Sequence, residues 1–191
     1  MINEFMEVVP LKNEDISEFK HEIQKAFQLG YEAEFGTCQE TILPEKDIDE
    51  SLNGENAFAW KAVRNGELIG GAVVRIDAAT QNELELFFVK CGCQSHGVGQ
   101  KIWHAMETQY SETKIWKTCT PYFEKRNIHF YVNRCGFHIV EFFNPKHKAA
   151  WDHGEAPEPV GGMCAEAGAY FFAFEKHMKS VLSGNFYRTV L

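Results

Sequence analysis

Gln94-Ser95-His96-Gly97-Val98-Gly99 lies between an apolar run that ends at Val89 and a helical pattern that continues to about Tyr110. A strand that turns through closely spaced glycines into a helix leaves several backbone N–H groups without partners inside the helix, all aimed at one place. Glycine at 97 and 99 lets a ligand approach the main chain, and the helix N-terminus adds its positive dipole end. Phosphate or pyrophosphate is the expected occupant. Glycines so spaced also serve turns that only have to turn, so the flanking chain must carry the rest of the argument.

Ahead of the loop lies the clearest β region. Phe58 to Val63 and Leu68 to Ile76 flank Asn65-Gly66, a strong hairpin signal. A third run, Glu83-Leu84-Glu85-Leu86-Phe87-Phe88-Val89, leads into the loop. Period-two alternation puts Glu83, Glu85 and Phe87 on one face and Leu84, Leu86 and Phe88 on the other. Behind the loop, Val98, Ile102, Ala105, Met106 and Gln109 define a helix face that should pack on the sheet. Ile115 to Thr120 reads as a strand halted by Pro121, Glu124 to Cys135 as a helix with Ile128, Tyr131 and Cys135 along one stripe, and Phe137 to Phe143 as another strand. Strand, helix, strand, helix, strand implies crossovers, hence mixed or parallel pairing in an α/β (α+β) fold.

The rest of the chain is less patterned. Phe5 to Pro10 suggests a short strand, and Asn13 a cap for a helix with Ile16, Phe19, Ile23, Ala26 and Phe27 on one face, ended by Gly30. Tyr31 to Gly54 is acidic and turn-rich with a short helix at 44–52; it reads as a solvated connection or as a mobile pocket wall. Asn144 to Gly168 holds His147, Asp152 and His153, which form no complete ligand set and read more simply as a surface excursion. Ala169 to Phe174 makes a last strand, Glu175 to Leu182 a short helix and Ser183 to Leu191 a tail. No internal repeat or linker divides the chain, so residues 1–191 are expected to form one domain.

The net charge of −8 argues against a nucleic-acid partner, which would need clustered Lys and Arg. The six cysteines lack the spacing of a secreted scaffold, Cys91-Gly92-Cys93 has no second pair at ligand spacing, and the N-terminus lacks signal-peptide regions. The expected compartment is a reducing cytoplasm, without a metal. No run of about twenty apolar residues suggests a membrane span.

Taken together, Phe58 to Phe143 resembles the GNAT superfamily of acyl-CoA-dependent N-acetyltransferases. Gln94 to Gly99 looks like the Q/R-x-x-G-x-G/A cofactor motif, Val89 falls where the β4 valine does, and Phe130-Tyr131 through Gly136-Phe137 looks like the late Tyr-x-x-x-x-Gly-Phe signature. The resemblance implies a mixed, twisted sheet flanked by helices and splayed between its fourth and fifth strands, here Glu83 to Val89 and Ile115 to Thr120. It implies acetyl-CoA as co-substrate, with the main chain at Phe87, Phe88 and Val89 along the pantetheine arm and Gln94, Ser95, His96, Gly97, Val98, Gly99 and Gln100 around the pyrophosphate. Asn127 and Phe130 join the cofactor contacts. Glu83 aligns with the carboxylate that serves some members as general base, with Glu85 in reserve, and Tyr131 matches the usual general acid.

The chain also departs from the pattern. Ser95 and His96 stand where Arg or Lys is frequent, Cys91 where proline is, and Glu124 where asparagine is common near the start of the tyrosine helix. The implied reaction is acetyl transfer by direct attack of an amine, a small molecule or peptide. The acidic surface favours a cationic acceptor. A homodimer is compatible with the family likeness. The rival readings are a non-catalytic acyl-CoA sensor and, with no Gly-Lys-Ser/Thr to support it, a nucleotide-binding domain.

Overall fold

The computed structural model describes residues 5–77, 80–94, 96–147 and 170–178. Seven strands form one sheet in the order β1-β2-β3-β4-β5-β7-β6. These are β1 (Met6–Pro10), β2 (Ala57–Arg64), β3 (Glu67–Ile76), β4 (Gln81–Val89), β5 (Ile115–Pro121), β6 (His138–Phe143) and β7 (Phe171–His177). Neighbours run antiparallel except β4 and β5, the one parallel pair. Asn65 and Gly66, at φ of 54° and 82°, make the β2–β3 turn that their types require.

Two helices cover one face. α1 (Ile16–Phe35) buries Phe19 and Ile23, and α2 (Glu45–Asn53) buries Ile48 against the same cluster as Leu68, Val73, Leu86 and Phe88. At Gly71 a Cβ would meet the Phe19 ring at 2.3 Å, so α1 lies directly on β3 because that position has no side chain. α3 (Val98–Gln109) covers the other face with Val98, Ile102, Trp103 and Met106. Trp103 joins this stripe, whereas Gln109, expected in it, is exposed.

Gly30 does not end α1. The helix continues to Phe35 because Tyr31 and Phe35 pack their rings with Phe123, at 5.5 and 5.2 Å. That burial outweighs the cost of about 1 kcal/mol for an interior glycine. The 36–44 connection is tied to α1 rather than loosely solvated: Gln28 bonds Cys38 and Ile42, and Gln24 bonds Leu43. Lys20 on α1 pairs with Glu45 and Asp49 on α2.

The expected β4 alternation is broken by a bulge. Leu86 opposes Val73 and Leu84 opposes Val74, so Glu85 is an extra residue. Leu84 therefore joins the α3-side cluster, against which Phe87 and Val89 also pack, while Leu86 and Phe88 face α1. Phe87 accordingly parts company with the two glutamates.

Past β5, the expected single helix is two pieces, α4 (Lys125–His129) and a π turn (Phe130–Cys135) closed by Gly136 at φ 78°. Glu175 to His177 belong to β7, paired with β5, not to a helix. The calls on Asp152, His153 and the 183–191 tail lie outside the described residues.

Candidate active site

β4 and β5 are paired only over Gln81↔Ile115, Asn82↔Trp116 and Glu83↔Lys117. Beyond Glu83, β4 keeps its β3 partner as far as Gly70↔Val89 but among the described residues has no strand on its other edge. The last tie is a side chain: Thr118 Oγ1 donates to the Leu84 carbonyl at 2.8 Å. The strands thus open into a mouth whose β4 wall is Glu85 to Val89. At its outer end Gln94 Nε2 donates to the Val89 carbonyl at a long 3.4 Å, and Arg126 donates to Gln94 Oε1 at 2.5 Å.

The glycine loop ends at this mouth. Gly97 is left-handed at φ 74° and is the N-cap of α3, with no side-chain cap and nothing within 4 Å of where its Cβ would be. Lys101 N–H makes the bond to the Gly97 carbonyl, so the preceding amides of Val98, Gly99 and Gln100 lie in the turn that lacks intrahelical acceptors. Val98 is buried as an anchor, while His96 and Gln100 are exposed. Ser95 lies outside the described residues. Gly99 does not face open space: a Cβ there would meet Phe130 at 3.1 Å and Val89 at 3.5 Å. The missing side chain makes room for a protein ring, and Phe130 in turn stacks on Phe87 at 5.2 Å.

Tyr131 follows Phe130 in the π turn and is buried among Phe130, Phe137 and Phe174. Burial pushes its phenol pKa far up, while a hydrogen bond with Thr118 pulls the other way. The Tyr131 carbonyl accepts from the Phe137 N–H at 2.9 Å. Lys176 pins the end of the turn: Nζ reaches the Cys135 carbonyl at 2.5 Å, pairs with Glu107 and sits over the Trp103 ring. Burial drives the Cys119 and Cys135 thiols up to about 12, which keeps them protonated and unsuited to nucleophilic work.

Three glutamates stand around the mouth. Glu83 is at the final paired position of β4. Glu85, the bulged residue, pairs with Arg75; burial raises its pKa, Arg75 opposes this and Glu83 adds to it. Glu85 Oε2 is buried without a hydrogen-bond partner among the described residues. Glu124 precedes α4, and burial raises its pKa too. Asn127 is half-buried one turn into α4. The bulge and the depth of Glu124 had no local signal; only the departure from asparagine marked position 124. Among the described residues no group of three or more His, Cys, Asp or Glu could hold a metal. His147 instead bonds Glu141 at 2.7 Å and stacks on Phe143.

The parallel pair thus opens beside the glycine turn that starts α3. The family model described as acetyltransferase (GNAT) family matches residues 20–137. The uncharacterized protein YrkN of Bacillus subtilis is 42% identical over 170 residues, 88% of this chain and 91% of YrkN. Among solved structures, the ribosomal-protein-S18-alanine N-acetyltransferase of Escherichia coli has a TM-score of 0.65 at 11% identity, covering 94% of this chain and 98% of that one. A GNAT family acetyltransferase from Elizabethkingia anophelis with acetyl-CoA bound has 0.64 at 15%, covering 91% and 98%. The chain belongs to the acetyltransferase (GNAT) family. Among the described residues no helix is long and apolar enough to cross a membrane.

Proposed function

We propose that this protein is an acetyl-CoA-dependent N-acetyltransferase whose residues 1–191 form one catalytic domain and whose acceptor is a cationic amine, attacked directly at the thioester. The observation that carries the reading is the loss of β5 from the edge of β4 beyond Glu83, in a mouth that runs out to the amides of Gly97 to Gln100. An extended arm ending in pyrophosphate fits this arrangement: the β4 edge offers unpaired main chain, and the space before Gly97 is open. That solved relatives of similar fold hold acetyl-CoA supports the choice of ligand.

Acetyl-CoA supplies the activated acetyl group. The protein's part is to hold it and to manage two protons. Main chain at Phe87, Phe88 and Val89 orients the pantetheine; the long Gln94 bond to Val89 is readily exchanged for it. Amides from Gln94 to Gln100 receive the pyrophosphate, and the Phe87–Phe130 stack and Asn127 border the arm. Tyr131, kept protonated by burial, presents its O–H to the departing sulfur. Glu83 assists proton removal at the inner end of the mouth, with Glu85 committed to Arg75.

The test is a screen of amines for acetyl-CoA-dependent release of free thiol, with the acetylated product confirmed by mass. Tight CoA binding with no amine-dependent thiol release would instead identify a non-catalytic acyl-CoA-binding module.

A further inference from the structure

Two buried hydroxyls meet where β4 and β5 part. Thr118 and Tyr131 are each 5% exposed. Thr118 lies opposite Phe174 in the β5–β7 register, and the Tyr131 ring packs on Phe174 at 5.6 Å, so threonine and tyrosine share one face of the sheet. Their side chains are hydrogen-bonded to each other. Thr118 Oγ1 also donates to the Leu84 carbonyl at 2.8 Å, one residue past the last paired position of β4.

A threonine hydroxyl has one hydrogen and two lone pairs. With that hydrogen on Leu84, Thr118 accepts from Tyr131, and the resting chain runs from the Tyr131 O–H through Thr118 to the Leu84 carbonyl. The proton of Tyr131 therefore points at Thr118 until a stronger acceptor arrives. When Tyr131 turns its hydrogen to an anionic sulfur, Thr118 swings its own from Leu84 to the phenol oxygen by rotation about one C–O bond. The other titratable groups felt at Tyr131 are Cys119 on β5, Cys135 at the end of the π turn and Glu124 ahead of α4, and each opposes a negative phenol oxygen. Thr118 favours one. A hydrogen bond to an anion is roughly twice as strong as one between neutral groups, so the exchange gains where charge develops.

We propose that Thr118 is a positioning residue for the acid step, a donor that sits on Leu84 at rest and on Tyr131 during transfer. The inference rests on the acetyltransferase reading. As the C–S bond breaks with its electron pair on sulfur, the Tyr131 O–H bond breaks with its pair on oxygen, and an S–H bond forms. Thr118 then holds the phenolate until the surplus proton of the acetylated nitrogen returns to it through water. Serine in place of Thr118 keeps the rotating donor; valine keeps only the shape.

The experiment titrates the thiol of CoA bound to the full chain through the ultraviolet absorbance of its thiolate, read as a difference from the CoA-free protein. Thr118→Val and Tyr131→Phe should each raise the pKa of that thiol by about one pH unit, an about tenfold loss of thiolate at a given pH. CoA affinity should stay within about twofold. The double variant should shift no further than Tyr131→Phe alone, because Thr118 acts through the phenol. Thr118→Ser should titrate as the parent does. The proposal is overturned if Thr118→Val lowers Tm yet leaves the thiol unshifted, if its shift adds to that of Tyr131→Phe, or if serine fails to rescue. Tyr131→Phe keeps the ring packing and is decisive by itself: an unshifted thiol there overturns the proposal even if Thr118→Val does not fold. A parent that fails to bind CoA removes the acetyltransferase reading itself, a distinct failure.

Discussion

The ring of Phe130 fills the volume that a side chain on Gly99 would occupy, 3.1 Å from the position of its missing Cβ. One glycine of the loop thus has open space where its side chain would be, and the other makes room for a packed ring that is itself stacked on Phe87. The two glycines should therefore fail differently.

Gly97→Ala keeps free space around the new methyl but must hold φ near 74°, a strain of about 1–2 kcal/mol. Gly99→Ala instead makes the Phe130 ring give way by a few tenths of an ångström against Phe87. We expect the Gly99 variant to lose acetyl-CoA affinity, and Phe130→Ala in that background to recover part of it. Calorimetric titration of the single and double variants would show the coupling.

Tyr131→Phe removes the hydroxyl that Thr118 contacts and leaves the ring packing in place. Turnover should fall about 10²-fold or more while acetyl-CoA affinity stays within about twofold, as for loss of a proton donor. Steady-state kinetics combined with direct binding separates the two; an equal loss in both would make Tyr131 a packing residue only.

Arg75 and Glu85 stabilise the bulge of β4 as a pair. Glu85→Ala leaves the guanidinium without its partner and should destabilise the fold by about 1–3 kcal/mol. Replacing both, as Arg75→Met with Glu85→Leu, should cost less than the single change. Urea denaturation of the three variants measures the difference.

Glu124 carries a pH signature. Its folded pKa is raised above the ordinary 4.5, so its contribution to stability is present below that value and is lost as pH rises through the raised one. Glu124→Gln, which cannot ionise, should therefore raise Tm at pH 7 to 8, by about 2–4 °C for each kcal/mol relieved. Below pH 4.5 the gain should vanish. Calorimetric scans across this range check it, and a gain that persisted in acid would show that the carboxylate's charge is not the source of the penalty.

Much of the fold was legible because its signals are local. Asn65-Gly66 specifies a hairpin turn through the φ values it tolerates, the 97–99 glycines mark the strand-to-helix turn, and Gly136 marks the end of the tyrosine helix. The splay beyond Glu83 was expected from the family likeness and is present. Two of the misreadings involve partners far along the chain. Gly30 looked like a helix end because nothing nearby in sequence announces Phe123, and the β4 alternation looked regular because a bulge is defined only against β3.

The amino-acid sequence by itself determined the order of strands and helices, the glycine turn that leads into α3 and the position of Tyr131 within its motif. These depend on backbone preference and on the spacing of neighbouring residues. Only the tertiary structure decided that Phe130 occupies the space at Gly99, that Glu85 belongs to Arg75, and that Glu124 lies against α1. Those relationships join residues remote in the chain, and burial and charge pairing act on distance in space.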